Sequence, residues 1–142
     1  LVVASSRPST LDPAARAALR FAPGAAEAAL AALAAALGSA RASGASPDEL
    51  ASRAGGPGGA DAVRAAADLV NDAGDVVVIV SERVFGGERG GAAGEALLAV
   101  ADALGIAAKA ESGLIAIPAE TNGRGLREVG GTWKVERLEF VG

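Results

Sequence analysis

The chain contains no cysteine, histidine, methionine or tyrosine. Without thiolates it cannot ligate an iron-sulfur cluster, and without imidazoles it lacks both the usual zinc ligand and the base of a Ser-His-Asp or Cys-His relay. Most enzyme chemistry is thereby excluded from this segment. Trp133 and three phenylalanines are the whole aromatic complement, and the formal charge is −4. Nucleic-acid binding needs a basic stripe or stacking platforms, so no nucleic-acid partner is expected. The longest apolar stretch, residues 28 to 37, falls short of the roughly 18 residues of a bilayer span, so no direct membrane insertion is expected either. No basic stretch leads into a hydrophobic block as an export signal would. Absence of cysteine is compatible with a reducing cytoplasm.

What is present suits one small α/β domain or a piece of a larger one. The chain has 142 residues, 51% of them hydrophobic, which is enough for a core. Alanine supplies much of that fraction, so the core should be thin. The first residues, Leu1-Val2-Val3-Ala4, already read as a buried strand, so the chain looks cut from something longer. Arginine outnumbers lysine eleven to two, a bias that points to a GC-rich coding sequence as much as to physical need.

After the opening strand, residues 5 to 10 form a polar turn. Asp12-Pro13 then reads as an N-cap with proline at the first helical position, predicting a short helix through Leu19. From Ala25, leucines 30, 33 and 37 recur at helical spacing and predict an apolar stripe on a helix ending near Gly38. Ser46-Pro47-Asp48-Glu49 has the form of a capping box and predicts a brief helix to Ala54. Beyond a glycine-rich break at residues 55 to 59, Val63, Ala67 and Val70 mark a third helix, closed by Gly74. The β-branched run Val76 to Val80 lacks polar alternation, so it predicts a central strand of a parallel sheet, buried on both faces. Leu97, Leu98, Ala101 and Leu104 define another helix, and residues 106 to 108 and 114 to 117 predict short strands. Three or four parallel strands with helices on both faces result.

Two loops carry candidate sites. Residues 86 to 91 join the β-branched run to a helix, where α/β proteins receive phosphates on free backbone amides. The glycines do not fit G-x-G-x-x-G, Ala92-Ala93 replace the lysine and hydroxyl residue of a P-loop, and Glu88 would repel a phosphate. A flexible β-to-α turn and an anion site both remain open. In the second loop, Asn122-Gly123 tolerates positive φ, Gly125 permits close backbone approach, and Arg124 and Arg127 share one side of any short helix. A surface turn held by ion pairs and a docking or cofactor-facing loop are both compatible with it.

The run GLIAIPAETNGRGLREVG at residues 113 to 130, preceded by the β-branched run, the glycine turn and an alanine-leucine helix, resembles the molybdopterin oxidoreductase superfamily. Within it, Ser81-Glu82-Arg83 and residues 117 to 128 look most like the G-subunit family of bacterial NADH-quinone oxidoreductase, the respiratory complex I. Arg7, Thr10, Pro23 and Gly24 stand in matching roles at the beginning, and Asn122 and Gly125 near the end, so the resemblance covers most of residues 1 to 130.

The resemblance implies a Rossmann-like three-layer sandwich with a small, mainly parallel sheet, part of the molybdopterin oxidoreductase fold. It also implies a structural, non-catalytic segment supporting electron transfer from NADH to quinone. Iron-sulfur clusters would lie elsewhere in the parent chain. Partners would be the remainder of the parent polypeptide and other peripheral-arm subunits of complex I, at the cytoplasmic face of the inner membrane, with Glu120, Arg124, Arg127 and Glu128 as contact residues. The alternative is a cofactor-binding segment of a molybdopterin-dependent oxidoreductase. There Arg7, Thr10, Gly86, Gly91, Asn122 and Gly125 would face a molybdopterin guanine dinucleotide. Ser5-Ser6, where cofactor-binding relatives carry an acidic residue, count against it, and no cysteine or serine ligand for molybdenum can be assigned. A free-standing module for an anionic ligand is a third reading. Residues 131 to 142 fall outside the resemblance. Their alternating charged and apolar residues suit an edge strand, a frameshifted end or an appended remnant, and they receive no function.

Overall fold

A computed structural model describes residues 1–41, 44–121, Gly125 and Glu128. It is a small mixed α/β domain. Among the described residues there are four strands, β1 (Val2–Ser5), β2 (Ala17–Arg20), β3 (Val77–Ser81) and β4 (Gly113–Ile117), and four α-helices, α1 (Ala26–Ala36), α2 (Pro47–Ala54), α3 (Gly59–Asn71) and α4 (Gly90–Ala103). All pairing is parallel, as the βαβ pattern predicts. The strands do not join into one sheet, however: β1 pairs with β2, and β3 pairs with β4.

The expected helix through Leu19 is absent. Asp12–Ala14 makes a single 3-10 turn, Ala15 is already extended, and Ala17–Arg20 is strand β2. A helix of two turns hardly offsets its nucleation cost, whereas pairing in the register Val2↔Ala17 to Ser5↔Arg20 satisfies the backbone at once. Residues 106 to 108 also form a 3-10 turn and not a strand, capped by Gly105 in the left-handed region.

Helix α1 packs against α2, α3 and α4. Its buried residues are Ala28, Ala29, Ala32 and Ala34, while Leu30, Leu33 and Leu37 are only half-buried. The leucine stripe is therefore not the core face, because helices this closely packed leave room for methyl groups and little more. Ala28, Ala29 and Ala32 join Leu19, Leu50 and Val63 in one apolar cluster, and Ala34 joins Val100, Leu104 and Ile106 in another. The capping box forms as its spacing demands. Ser46 Oγ accepts from the Glu49 N–H at 3.2 Å and Glu49 Oε2 accepts from the Ser46 N–H at 2.9 Å, which holds the Glu49 carboxyl below its ordinary range.

The β-branched run is a strand but is not buried on both faces. Val76 and Val78 pack towards α1 and α4, whereas Val77 and Ile79 on the opposite face are 54% and 62% exposed. Ile115, paired with Ile79, and Ile117 are 51% and 50% exposed. Helices thus cover one side of β3, its other side is bare among the described residues, and on β4 Leu114, on the side of Val78, is itself 42% exposed.

Gly56 fixes how α2 meets the strands: a Cβ there would lie 1.6 Å from the Arg20 carbonyl oxygen. Gly56→Ala should therefore destabilise the fold by about 3 kcal/mol. By contrast, Gly94→Ala, inside α4 with open space at its Cβ position, should stabilise it by about 0.5–1 kcal/mol. Urea unfolding of both variants checks the pair, and a neutral Gly56→Ala would contradict the close approach.

Candidate functional site

An open cavity of about 850 Å³ lies between the two strand pairs. One wall is β1, through Val2, Ala4 and Ser5, and the other is β3 along its full length. Of β2 only Leu19 reaches the cavity, and β4 contributes nothing, so the space lies beside the strand edges that β2 and β4 leave free. The floor is apolar, with Leu30 and Leu33 of α1, Val70 of α3, and Leu97 and Val100 of α4. Leu30 and Leu33 belong to the apolar stripe that the helical spacing predicts.

Backbone geometry defines the walls further. The Arg16 N–H donates to the Leu1 carbonyl at 2.9 Å, and the Gly113 N–H donates to the Val76 carbonyl at 3.1 Å. Bonding alternates along a parallel ladder. The backbone N–H and C=O of Val77 and Ile79 are therefore turned away from β4, and both residues line the cavity, as do Val2 and Ala4 on the opposite wall.

At the carboxyl ends of β1 and β3 the rim becomes polar, with Ser5, Ser6, Ser81, Arg83, Gly86 and Arg89. Open α/β sheets receive ligands at this end of their strands. Arg83 donates to the Ala119 carbonyl at 3.4 Å, and Glu82 Oε2 accepts from the Ala119 N–H at 3.3 Å, tying the chain after β4 to the turn after β3. Beside this rim, Arg20 at the end of β2 donates to Ser5 Oγ at 2.7 Å and pairs with Asp12. Asp12 also accepts from the Ser9 N–H at 3.1 Å and from Ser9 Oγ at 2.8 Å. These bonds hold the connection between β1 and β2 in place without an α-helix.

Sequence-predicted residues scatter around this geometry. Gly86 lines the cavity, but Gly91 lies in a separate shallow hollow with Phe85, Gly94 and Leu98. Arg7 and Thr10 are exposed and line neither, although the Arg7 carbonyl accepts from Ser5 Oγ at 2.6 Å. Arg7, Thr10, Gly86 and Gly91 thus do not line one common cavity. Glu120 and Glu128 are exposed and Gly125 is half-buried, while Asn122, Arg124 and Arg127 lie outside the described residues. Gly90, not singled out by its spacing, is the constrained glycine of the loop, since a Cβ would meet the Phe85 carbonyl oxygen at 1.8 Å. Arg89 was not among the expected site residues, although its place just beyond the carboxyl end of a β-branched strand was a signal for it, and Ser6 entered only with Ser5 as a departure from cofactor-binding relatives.

Among the described residues no group of three or more His, Cys, Asp or Glu is placed to hold a metal ion, and no helix is long and apolar enough to cross a membrane. The cavity interior is lined mainly by alkyl side chains and strand edges, with Glu27 and Asp75 as its acidic lining residues. The cationic lining residues are Arg16, which follows the turn into β2, and Arg83 and Arg89 on the polar rim. No family model matches the chain, and neither a curated protein nor a solved structure does.

The Arg20 guanidinium, with Ser9, holds the Asp12 carboxyl down from 3.8 to about 2. A carboxyl depressed on folding contributes stability above its unfolded value and loses it as pH falls through its folded one. The Asp12 contribution should thus be complete above about pH 4 and vanish towards pH 2. A carbon-detected NMR titration checks this; Arg20→Leu should return the Asp12 midpoint towards 3.8. A native midpoint already near 3.8 would mean that the pair does not form in solution.

Proposed function

We propose that this chain is a non-catalytic α/β segment of the molybdopterin oxidoreductase-like subunit of NADH-quinone oxidoreductase. Its role is to scaffold the cluster-bearing part of the parent polypeptide that passes electrons from NADH towards quinone. Its finer architecture on this reading is Rossmann-like, part of a three-layer sandwich. The supporting observation is the bare apolar surface of β3 and β4 formed by Val77, Ile79, Ile115 and Ile117. A separate module seldom leaves such a surface and free strand edges in water, whereas a segment packed inside an assembly has them covered. The partners are the remainder of the parent polypeptide and neighbouring peripheral-arm subunits, at the cytoplasmic face of the inner membrane. Glu120, Arg124, Arg127 and Glu128 are the contact candidates.

The runner-up is a molybdopterin-dependent oxidoreductase. The polar rim with Gly86, Arg83 and Arg89 favours it, and the apolar interior opposes it. Elemental mass spectrometry of the purified parent protein separates the two. Iron without molybdenum or tungsten is expected, and stoichiometric molybdenum or tungsten would overturn the scaffold reading. Charge reversal at both Arg124 and Arg127 should weaken assembly with neighbouring subunits, read by native gel, while circular dichroism stays unchanged. Undiminished assembly would remove those arginines from the interface.

A further inference from the structure

We propose that the cavity between β1 and β3 is the seat of a fifth, central strand. A β-strand–helix unit of the same polypeptide, upstream of Leu1, supplies it, and the helix of that unit covers the bare face of β3 and β4. The inference rests on reading the chain as a segment of a longer polypeptide.

One wall is the edge of β3, whose backbone donors and acceptors at Val77 and Ile79 are turned away from β4, and the other is the edge of β1 that β2 leaves unpaired. An occupant that satisfies both walls must itself carry a regular series of N–H and C=O groups on each side. An extended chain does so, sitting about 4.8 Å from each neighbour. The floor of Leu30, Leu33, Leu97 and Val100 specifies apolar side chains, and a central parallel strand is apolar on both faces.

The direction of the walls follows from α3. Its N-terminal end lies close to the carboxyl end of β2, where Gly56 touches the Arg20 carbonyl and the Ala22 N–H donates to the Ala54 carbonyl at 2.8 Å. The helix packs back along β2 and delivers the chain to β3 at the other end. β3 therefore runs the same way as β1 and β2, and one parallel strand can bridge the two pairs.

Topology then selects the source. With a strand in the slot, the spatial order becomes β2, β1, new strand, β3, β4. If the new strand precedes β1 in the chain, this is the 3-2-1-4-5 order of a doubly wound sheet. Crossovers between parallel strands are right-handed in about 98% of cases, so those running in opposite directions across a sheet lie on opposite faces. The step from β3 to β4 places α4 on the face of Val78. The step from an upstream strand to β1 runs the other way, so its helix lies on the face of Val77 and Ile79. That face is bare. One upstream unit accounts for both the slot and the uncovered surface, whereas a strand added from another protein accounts for the slot alone. Residues 132 to 141 do not suit the slot, because Lys134, Glu136, Arg137 and Glu139 would place charges on both faces of a buried strand.

Amide hydrogen exchange of the parent polypeptide, beside a version truncated to begin at Leu1, tests the proposal. The amides of Val77 and Ile79 should exchange roughly a hundredfold more slowly in the parent and lose that protection on truncation. Equal exchange in both, or protection that disappears on deletion of residues 131 to 142 instead, would overturn it. Ile79→Pro removes an N–H that faces the slot and not β4. It should lower the melting temperature of the parent and leave that of the truncated chain nearly unchanged; equal losses in both would also overturn it. A parent without iron would sink the complex I reading and leave the slot standing. Unprotected amides in an iron-containing parent would do the reverse.

Discussion

Close contact of small side chains on α1 is the constraint on which the rest of the molecule depends. Ala28, Ala29, Ala32 and Ala34 are buried, and α2, α3 and α4 all pack on this helix. Alanine loses no side-chain entropy on burial and lets helices approach closely, but each methyl removes little apolar area from water. The two clusters on either side of α1 therefore depend on a few larger residues, with Leu50 and Val63 the largest that are fully enclosed. Rigid entry and exit angles compensate. Gly56 and Gly90 bring backbones together where any Cβ would collide, and the Ser46–Glu49 capping box sets the start of α2.

The same thinness explains why the strands stand in two pairs. Each pair satisfies one edge of each strand and leaves the other open, and the helices shield one face of β3. Water can satisfy open edges but gains nothing from Val77, Ile79, Ile115 and Ile117, so the exposed apolar face is the energetic weakness of the isolated chain. On the scaffold role proposed above, neighbouring parts of a larger subunit would cover both. The polar rim at the carboxyl ends of β1 and β3 would then border the remainder of the parent chain and not open solvent.

Several elements were legible because their signals are local. The capping box at Ser46 predicts α2 through Ala54 as observed, and the spacing of Val63, Ala67 and Val70 marks α3. The β-branched run yields β3, and its parallel pairing with the apolar run ending at Ile117 follows from the intervening helix. Reading Asp12-Pro13 as a helix start failed because Asp12 commits its carboxylate to Ser9 and to Arg20, eight residues away, an interaction invisible at short range. Residues 106 to 108 failed likewise: Ile106 is buried against α4 residues by a 3-10 turn, not by strand pairing. Of the described cofactor-facing candidates, Gly86 lines the cavity and Arg7, Thr10, Gly91 and Gly125 do not, since glycine spacing alone does not say which side of a loop faces inward.

The sequence by itself determined the α/β alternation, the parallel sense of the strands and the absence of thiolate and imidazole chemistry, because these follow from residue type and short-range periodicity. Only the tertiary structure decided which faces are buried. It placed alanines and not leucines at the centre of α1, left Val77 and Ile79 uncovered, and opened a cavity between two strand edges. The physical reason is that a helical stripe or a β-branched run states that a surface is apolar, while which neighbour covers that surface depends on contacts between elements far apart in the chain.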